Sequence, residues 1–171
     1  MADSSLSIAK TLVNEGGFQR NSNDRRNWSS GQIGVGALMG TKYGITSQDM
    51  PGVDISNLSV QQAQAFYSDP SKGFWHPLYA NINAQLICDK LFDMGVLFGV
   101  ATVVRVLQKA LDLPVDGNFG PMTLQAVNNA DASTLWTVYT GLLIQRDELI
   151  VAGHPEDAQF EAGWTARVVR P

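Results

Sequence analysis

"NEGGF", residues 14–18, decides where the first helix of this chain ends and which side chain stands at that end. Glycine stops a helix because it tolerates the left-handed conformation found just past many helix ends. Glu15 should therefore lie at a helix C-terminus, where the macrodipole is unfavourable for an anion and favours the protonated acid. A protonated carboxylic acid beside a flexible glycine corner is typical of a general acid, so Glu15 is the first candidate catalytic residue.

Length and composition narrow the class of protein. The 171 residues are 44% hydrophobic and 16% charged, as in an ordinary soluble globular protein. A chain of this length can form one compact domain that buries roughly 70% of its unfolded surface. The net charge of −4 and the pI of about 5.0 argue against nucleic acid as the main partner. We expect a monomer.

Two further patterns concern membranes and export. The opening "MADSSLSIAK" has no basic region followed by an apolar one, so no secretory signal is visible and synthesis in the cytoplasm is expected. The longest apolar stretch, residues 94–104, is about half as long as a membrane span and contains glycine. It predicts a buried helix junction and no membrane span.

The one cysteine and two histidines limit the available chemistry. Cys88 cannot form an internal disulfide, and its apolar, helix-spaced surroundings predict a small core residue. A nucleophilic cysteine would need a histidine partner, for which only His76 and His154 exist. Catalytic zinc sites commonly use three protein ligands, and neither histidine belongs to an HxxxH pair. We therefore expect no metal and no cofactor.

The remaining pattern is mainly helical. The first helix should run from about Ser4 or Ser5 to Glu15. Its inward face is expected to consist of Leu6, Ala9, Leu12 and Val13. Later helical patterns occupy residues 58–69, 81–95, 100–112, 121–129 and 133–153.

Local signals mark several of these helix ends. Ser59 with Gln62 predicts a capping box, and Pro121 suits the first position of its helix. The region of Pro70 should end one helix, and Gly153 should end the long one.

Residues 16–47 interrupt the helical pattern. They are rich in glycine, serine and asparagine, and they contain short strand-like pieces. We predict an irregular loop with a small hairpin. A structureless insert of this length in a compact domain usually carries function.

Polar residues in this insert complete a candidate site. Asp24 comes nine residues after Glu15, and Thr41, Tyr43 and Thr46 follow in "GTKYGIT". An acid at a helix end, a loop carboxylate and a hairpin hydroxyl can converge on one cleft. Glycoside hydrolysis needs such a set, because an acid protonates the leaving oxygen while a base or stabiliser serves the water or the transition state.

Two tryptophans are candidates for sugar binding. Trp28 and Trp75 could each stack on a sugar face, although core packing would explain either ring equally well.

The string "NEGGF…ND…GTKYGIT" resembles the signature of the glycoside hydrolase family 108 muramidases, which have a lysozyme-like fold. The second half of the chain resembles that family's companion, the predicted peptidoglycan-binding region. The motifs that carry this second resemblance are "FWHPL", "LFDMGVLFG", "LQKAL", "VDGNFGPMTL" and "GWTARV". The resemblance implies a mainly α, lysozyme-like helical fold with a small hairpin near the N-terminus. It also implies a catalytic part over 1–90 and a peptidoglycan-binding-type helical part over 91–171. We expect the two parts to pack together as one unit, because the second carries more apolar surface than a detached module could hide and no Pro-, Ser- or Gly-rich linker separates them.

The resemblance also implies residue roles. The family's acid corresponds to Glu15 and its loop aspartate to Asp24. The spacing also resembles the Glu-Asp-Thr arrangement of phage lysozymes, which puts Thr41 or Thr46 in the third role. We take Thr46 as the catalytic threonine. The expected substrate-binding residues are Thr41, Tyr43, Trp28 and Trp75.

The chain departs from the family pattern in two places. Arg26 and Asn27 stand where paired glycines are expected, and the insert "SSGQIGVGALMG" precedes "TKYGIT". This insert leaves open which threonine takes the third role. "VDGNFGPMT" also resembles the core of small wall-binding modules, but a well-built turn and helix start would give the same pattern.

The favoured hypothesis is a muramidase that cleaves between N-acetylmuramic acid and N-acetylglucosamine in bacterial peptidoglycan. A lytic transglycosylase with one acid, a non-catalytic wall-binding module, and a cysteine amidase using Cys88 and His76 are the alternatives. The resemblance implies a phage endolysin or a secreted wall-degrading protein. We expect it to reach the wall or periplasm through a holin or a secretion system.

Overall fold

The computed structural model describes residues 1–154 and 158–171, and the described part is mainly α-helical. Its α-helices are α1 Ser4–Glu15, α2 Val60–Ser68, α3 Gln85–Phe98, α4 Val100–Ala110, α5 Pro121–Asn129, α6 Ala132–Gly153 and α7 Ala158–Val169. Strands β1 Thr41–Lys42 and β2 Ile45–Thr46 form a two-stranded antiparallel sheet. Short 3-10 helices cover Arg25–Asn27, Ile55–Asn57, Pro70–Lys72 and Pro77–Asn81. The predicted mainly helical fold with a hairpin near the N-terminus is confirmed.

Helix α1 ends at Glu15, as predicted, but its buried face differs from the predicted one. It packs against α3, where the hydroxyl of Ser7 donates a 2.7 Å hydrogen bond to the buried Asp89. The buried face of α1 therefore includes polar residues and does not coincide with the most apolar face of the helix. The buried residues are Ser7, Ile8, Thr11 and Leu12. The prediction was right for Leu12 and wrong for Leu6, Ala9 and Val13, which are exposed.

Helix α3 is the central element of the core. It packs against α1, α4 and α6, and its residues 87–95 are all buried. It begins at Gln85, later than predicted, because residues 77–81 form a separate 3-10 helix. Gly99, with a φ of 88°, separates α3 from α4, so a helix junction does lie within residues 94–104. The prediction that it is buried was wrong, because Gly99 is exposed and residues 96–98 are only half-buried. The helix runs without interruption across residue 90.

The predicted local signals at α2, α5 and α6 are confirmed. Ser59 and Gln62 form both hydrogen bonds of a capping box at the start of α2. Pro121 occupies the first turn of α5, where its missing N–H costs nothing. Helix α6 ends at Gly153. No helix in the described ranges is both long enough and apolar enough to cross a membrane.

Helix α7 completes the fold at the C-terminus. It packs on α6, and the sequence pattern had not predicted a helix there. The buried ammonium of Lys90, on α3, donates to the carbonyl oxygens of Arg167 at 2.9 Å and Arg170 at 2.6 Å. These bonds satisfy carbonyl groups at the C-terminal end of α7, and they fix that end against the central helix.

Candidate active site

Glu15 is the last residue of α1, and Gly16 follows it as the C-cap residue. Gly16 has a φ of 76° and a ψ of −177°, a combination that only glycine adopts readily. Gly16 therefore does not adopt the left-handed cap conformation that the sequence predicts, and the chain leaves the helix with an extended ψ. The carbonyl oxygen of Gly16 accepts a 3.2 Å hydrogen bond from the N–H of Tyr43. The glycine corner thus brings the hairpin turn to the helix end.

The hairpin turn lies directly against the Glu15 carboxyl. Tyr43 and Gly44 form the two-residue turn, and both have positive φ, of 53° and 73°, as a type I′ hairpin requires. A Cβ at Gly44 would lie 2.6 Å from Oε2 of Glu15 and 2.7 Å from the hydroxyl oxygen of Tyr67. The absence of a side chain at Gly44 therefore makes the space that the acid occupies.

Tyr67, on α2, supports the same turn from below. Its buried hydroxyl donates a 2.8 Å hydrogen bond to the carbonyl oxygen of Tyr43. Burial, with the nearby charge of Glu15, raises the pKa of Tyr67 above its ordinary value. The hydroxyl therefore stays protonated and keeps the turn in place.

Arg167, on α7, contacts the other oxygen of the acid. Its Nη2 lies 2.8 Å from Oε1 of Glu15, and its Nη2 and Nε lie 2.8 Å and 3.0 Å from the two carboxylate oxygens of Asp93. Burial opposes the charge on Arg167, but the hydrogen bonds and charges of Asp93 and Glu15 outweigh it and raise its pKa. Burial likewise opposes the charge on Asp93, and hydrogen bonding to Arg167 outweighs it and lowers that pKa.

Asp24 begins the 3-10 helix Arg25–Asn27 as its N-cap. Its carboxylate accepts a 2.9 Å hydrogen bond from the N–H of Arg26. The guanidinium of Arg26 then reaches back to the hairpin, donating to the carbonyl oxygen of Gly44 at 3.2 Å. The loop that carries Asp24 is therefore tied to the turn that faces Glu15.

Asn27 organises the rest of the insert. Its buried amide donates to Oε1 of Gln19 at 2.8 Å and to the carbonyl oxygen of Asn21 at 2.9 Å. Its amide oxygen accepts hydrogen bonds from Gln19, at 3.2 Å, and from the hydroxyl of Thr41. Thr41 is half-buried, and the bond to Asn27 fixes its hydroxyl. Asn27, one of the two residues that replace the family's glycine pair, thus holds the loop together through its side chain.

Thr46 lies beneath the hairpin surface. Only 2% of it is exposed, and its N–H and hydroxyl both donate to Oδ2 of Asp49, at 2.8 Å and 2.7 Å. This position supports the hairpin and gives Thr46 little surface for contact with a substrate. Asp49, which the sequence pattern did not single out, also lies 3.7 Å from Arg26. The available signal was the threonine three residues before an aspartate, which is the spacing of a capping box.

The three predicted aromatic residues lie in different environments. Tyr43 lines an open groove beside Gly16, together with Val13, Val60 and Gln64. Trp28 is half-buried, and its indole N–H donates a 2.9 Å hydrogen bond to the carbonyl oxygen of Ser22.

Trp75 lies in the core instead. It is 8% exposed, and its ring centroid lies 5.7 Å from that of Tyr79 and 5.5 Å from that of Phe92. This environment leaves little free face for sugar stacking, in disagreement with the substrate-binding role predicted for Trp75.

Cys88 does not have the environment of a nucleophile. It is fully buried, and burial raises the pKa of its thiol to about 12. An inert, protonated thiol argues against the cysteine amidase hypothesis. Within residues 1–154 and 158–171, no group of three or more His, Cys, Asp or Glu side chains is placed to hold a metal ion.

The "DGNFG" loop is built around one buried amide. Oε1 of Gln108 accepts from the N–H groups of Asp116 and Gly117, at 3.1 Å and 2.9 Å, and its amide donates to Oδ1 of Asp116 at 2.7 Å. Phe119 packs edge-on against Tyr79, with a centroid distance of 4.9 Å. These contacts account for the motif as a turn that docks the second half of the chain on the first.

Comparison with known proteins agrees with this arrangement. Residues 8–99, more than half of the chain, match the family described as Glycosyl hydrolase 108, and residues 102–169 match the Predicted Peptidoglycan domain. No curated protein matches the chain. Among solved structures, the fold is similar to that of Brucella abortus SagA, at a TM-score of 0.69 and 20% identity, over 96% of this chain and 88% of that chain. The chain belongs to the glycosyl hydrolase 108 family, and it is a peptidoglycan-degrading glycoside hydrolase.

Proposed function

We propose that the protein is an N-acetylmuramidase that cleaves the bond between N-acetylmuramic acid and N-acetylglucosamine, with Glu15 as the general acid. One observation carries this proposal. The Glu15 side chain is held at two points, with Oε1 on Arg167 and Oε2 against Gly44, yet it keeps 17% of its surface exposed. A catalytic acid needs this combination of fixed geometry and access to substrate.

The proton transfer follows from that geometry. Glu15 gives its proton to the glycosidic oxygen as the C–O bond breaks, and the oxocarbenium-like sugar is then captured by water. Asp24 is proposed to position or activate that water from the loop across the hairpin turn. The two carboxyls of an inverting enzyme lie roughly 6.5–9.5 Å apart, which leaves room for the water.

Hairpin residues are proposed to form the rest of the site. Thr41 is favoured over Thr46 for the third role, because Thr41 is half-buried whereas Thr46 is enclosed. Tyr43 and Trp28 are proposed to contact sugar rings. Both side chains are partly exposed: Tyr43 lines the groove beside Gly16, and Trp28 directly follows the 3-10 helix whose Arg26 contacts Gly44.

One observation favours a second candidate, a lytic transglycosylase with a single acid. The Asp24 carboxylate already has a structural task, since it caps the 3-10 helix through the N–H of Arg26. If that task is its only one, the substrate's own hydroxyl would capture the oxocarbenium-like sugar and an anhydro product would form.

Mass spectrometry of digested peptidoglycan tests the proposal. A muramidase releases fragments that end in reducing N-acetylmuramic acid. Fragments that end in 1,6-anhydro-muramic acid would support the transglycosylase instead. Reducing N-acetylglucosamine ends, or free stem peptides, would contradict the proposed bond specificity.

A further inference from the structure

The acid of the catalytic part is contacted by a side chain from the other end of the chain. Arg167 lies 152 residues after Glu15, on α7, within the region that matches the peptidoglycan domain. The ion pair is largely enclosed, with 13% of the Arg167 side chain and 17% of the Glu15 side chain exposed. An enclosed pair of this kind fixes geometry more firmly than a surface pair, because solvent screens it less.

Arg167 is itself held rigidly by its surroundings. Asp93 takes two of its N–H groups in a fork, at 2.8 Å and 3.0 Å, and the Asp93 side chain is 8% exposed. Asn14 donates to the same carboxylate at 3.2 Å. Lys90 fixes the backbone of α7 by donating to the carbonyl oxygen of Arg167. The guanidinium therefore reaches Glu15 from a position that α3 determines.

The two carboxyl oxygens of Glu15 have different neighbours. Oε1 faces Arg167, whereas Oε2 faces the Gly44 turn that the Asp24 loop touches through Arg26. An oxygen that accepts a bond from an arginine is occupied by a donor that cannot give up its proton. Oε2 is then the oxygen free to carry and deliver the catalytic proton.

We propose that Arg167 is a positioning residue, supplied by the peptidoglycan-domain half, which holds Oε1 of Glu15 and thereby presents Oε2 as the acid. This inference rests on the proposed role of Glu15. As the proton leaves Oε2 for the glycosidic oxygen, a carboxylate forms beside a fixed positive charge that stabilises it. The catalytic part is thus incomplete without α7.

The test compares kcat and KM of Arg167→Ala and Arg167→Lys with those of the wild type and of Arg170→Ala. Arg170 is a matched control, since it lies three residues further on, is exposed, and contacts Asn14 at 2.8 Å. We expect Arg167→Ala to lower kcat by about 10- to 100-fold, a part of what a general acid contributes, with KM within about twofold. Arg167→Lys should recover part of the loss, and millimolar methylguanidinium should partly restore Arg167→Ala. Arg170→Ala should behave as the wild type.

A second variant distinguishes loss of the Arg167–Glu15 contact from loss of the fold. Removing Arg167 alone leaves Asp93 buried without its partner, which is costly. The double variant Asp93→Asn/Arg167→Gln removes both charges, and it should remain folded while showing the same loss of kcat. A folded Arg167 variant with wild-type kcat, or one changed only in KM, would overturn the inference while leaving the role of Glu15 standing. No turnover by the wild type would instead contradict the proposed function itself.

Discussion

Gly44 and Glu15 are in such close contact that no side chain fits between them. A Cβ at position 44 would lie 2.6 Å from Oε2 of the acid, below any normal contact distance. The turn residue and the helix-end carboxyl, 29 positions apart, are therefore built as one unit. Glycine at position 44 serves both the positive φ of the turn and the space for the acid.

Gly44→Ala should consequently abolish most activity. The added methyl group would displace the Glu15 carboxyl or the Tyr67 hydroxyl, and we expect kcat to fall at least about 100-fold, as when a general acid is lost. Gly52→Ala is the matched control, because Gly52 has a φ of 82° and no atom lies within 4 Å of the place that a Cβ would take. Both variants should lose about 1–2 kcal/mol of stability to the strained φ. Equal activity of the two variants would contradict the packing argument.

The variants Asp24→Asn and Asp49→Asn should distinguish a catalytic role of Asp24 from a structural role of Asp49. If Asp24 activates water, Asp24→Asn should lower kcat by about 10²–10⁴-fold with little change in Tm, since asparagine also caps helices well. Asp49→Asn should mainly lower Tm, because Asp49 holds the Thr46 N–H and hydroxyl. Kinetics and thermal melts on both variants provide the check. A fully active Asp24→Asn enzyme would favour the single-acid transglycosylase.

Asp147 should make folding stability depend on pH. Its side chain is fully enclosed on α6, and burial raises its pKa to about 6 from 3.8, with Arg146 at 3.2 Å only partly offsetting this. A carboxyl whose pKa is raised on folding stabilises the protein when protonated, so its contribution is lost as the pH rises from about 4 through 6.

Asp147→Asn should therefore be more stable than the wild type at pH 7, by on the order of 1–3 kcal/mol, with the difference shrinking towards pH 4. Urea unfolding at several pH values measures this. The exposed neighbour Glu148 supplies the control variant Glu148→Gln, which should show no such trend. Destabilisation of Asp147→Asn by the same amount at every pH would refute the assignment.

Truncation after Asp89 should give an insoluble or molten fragment. The cut divides α3 and removes its residues 90–98, which leaves uncovered the apolar surface that they pack against. The fragment would expose that apolar surface and would lack Arg167 beside Glu15. Solubility, near-UV circular dichroism and a thermal melt provide the measurement, with the full chain as reference. A soluble fragment with a sharp transition would show that residues 1–89 fold on their own.

Local signals in the sequence were enough to predict most helices. The end of α1 at Glu15, the capping box at Ser59 and Pro121 at the start of α5 all follow from short-range backbone chemistry. The buried face of α1 did not follow, because Ser7 is buried by a hydrogen bond to Asp89, 82 residues away. Apolar periodicity carries no information about such a distant polar partner.

In the candidate site, too, only residues with local sequence signals could be predicted. Glu15 could be singled out because its helix end and glycine neighbours are adjacent in the chain. Arg167 could not, because only the fold brings its charge to the acid. Asp49 was missed although its partner Thr46 is only three residues away in the chain. Asn27 stood out merely as a departure from a glycine pair, although its side chain holds the loop together.

The central claim, that Glu15 is the general acid, is tested most directly by the turnover of Glu15→Gln on purified peptidoglycan. Glutamine keeps the size of the side chain and can still accept a hydrogen bond from Arg167, but it has no transferable proton. We predict a folded variant whose Tm stays within a few degrees of the wild type and whose kcat falls by at least about 10²–10⁴-fold. A folded Glu15→Gln protein that degrades peptidoglycan at the wild-type rate would contradict the claim.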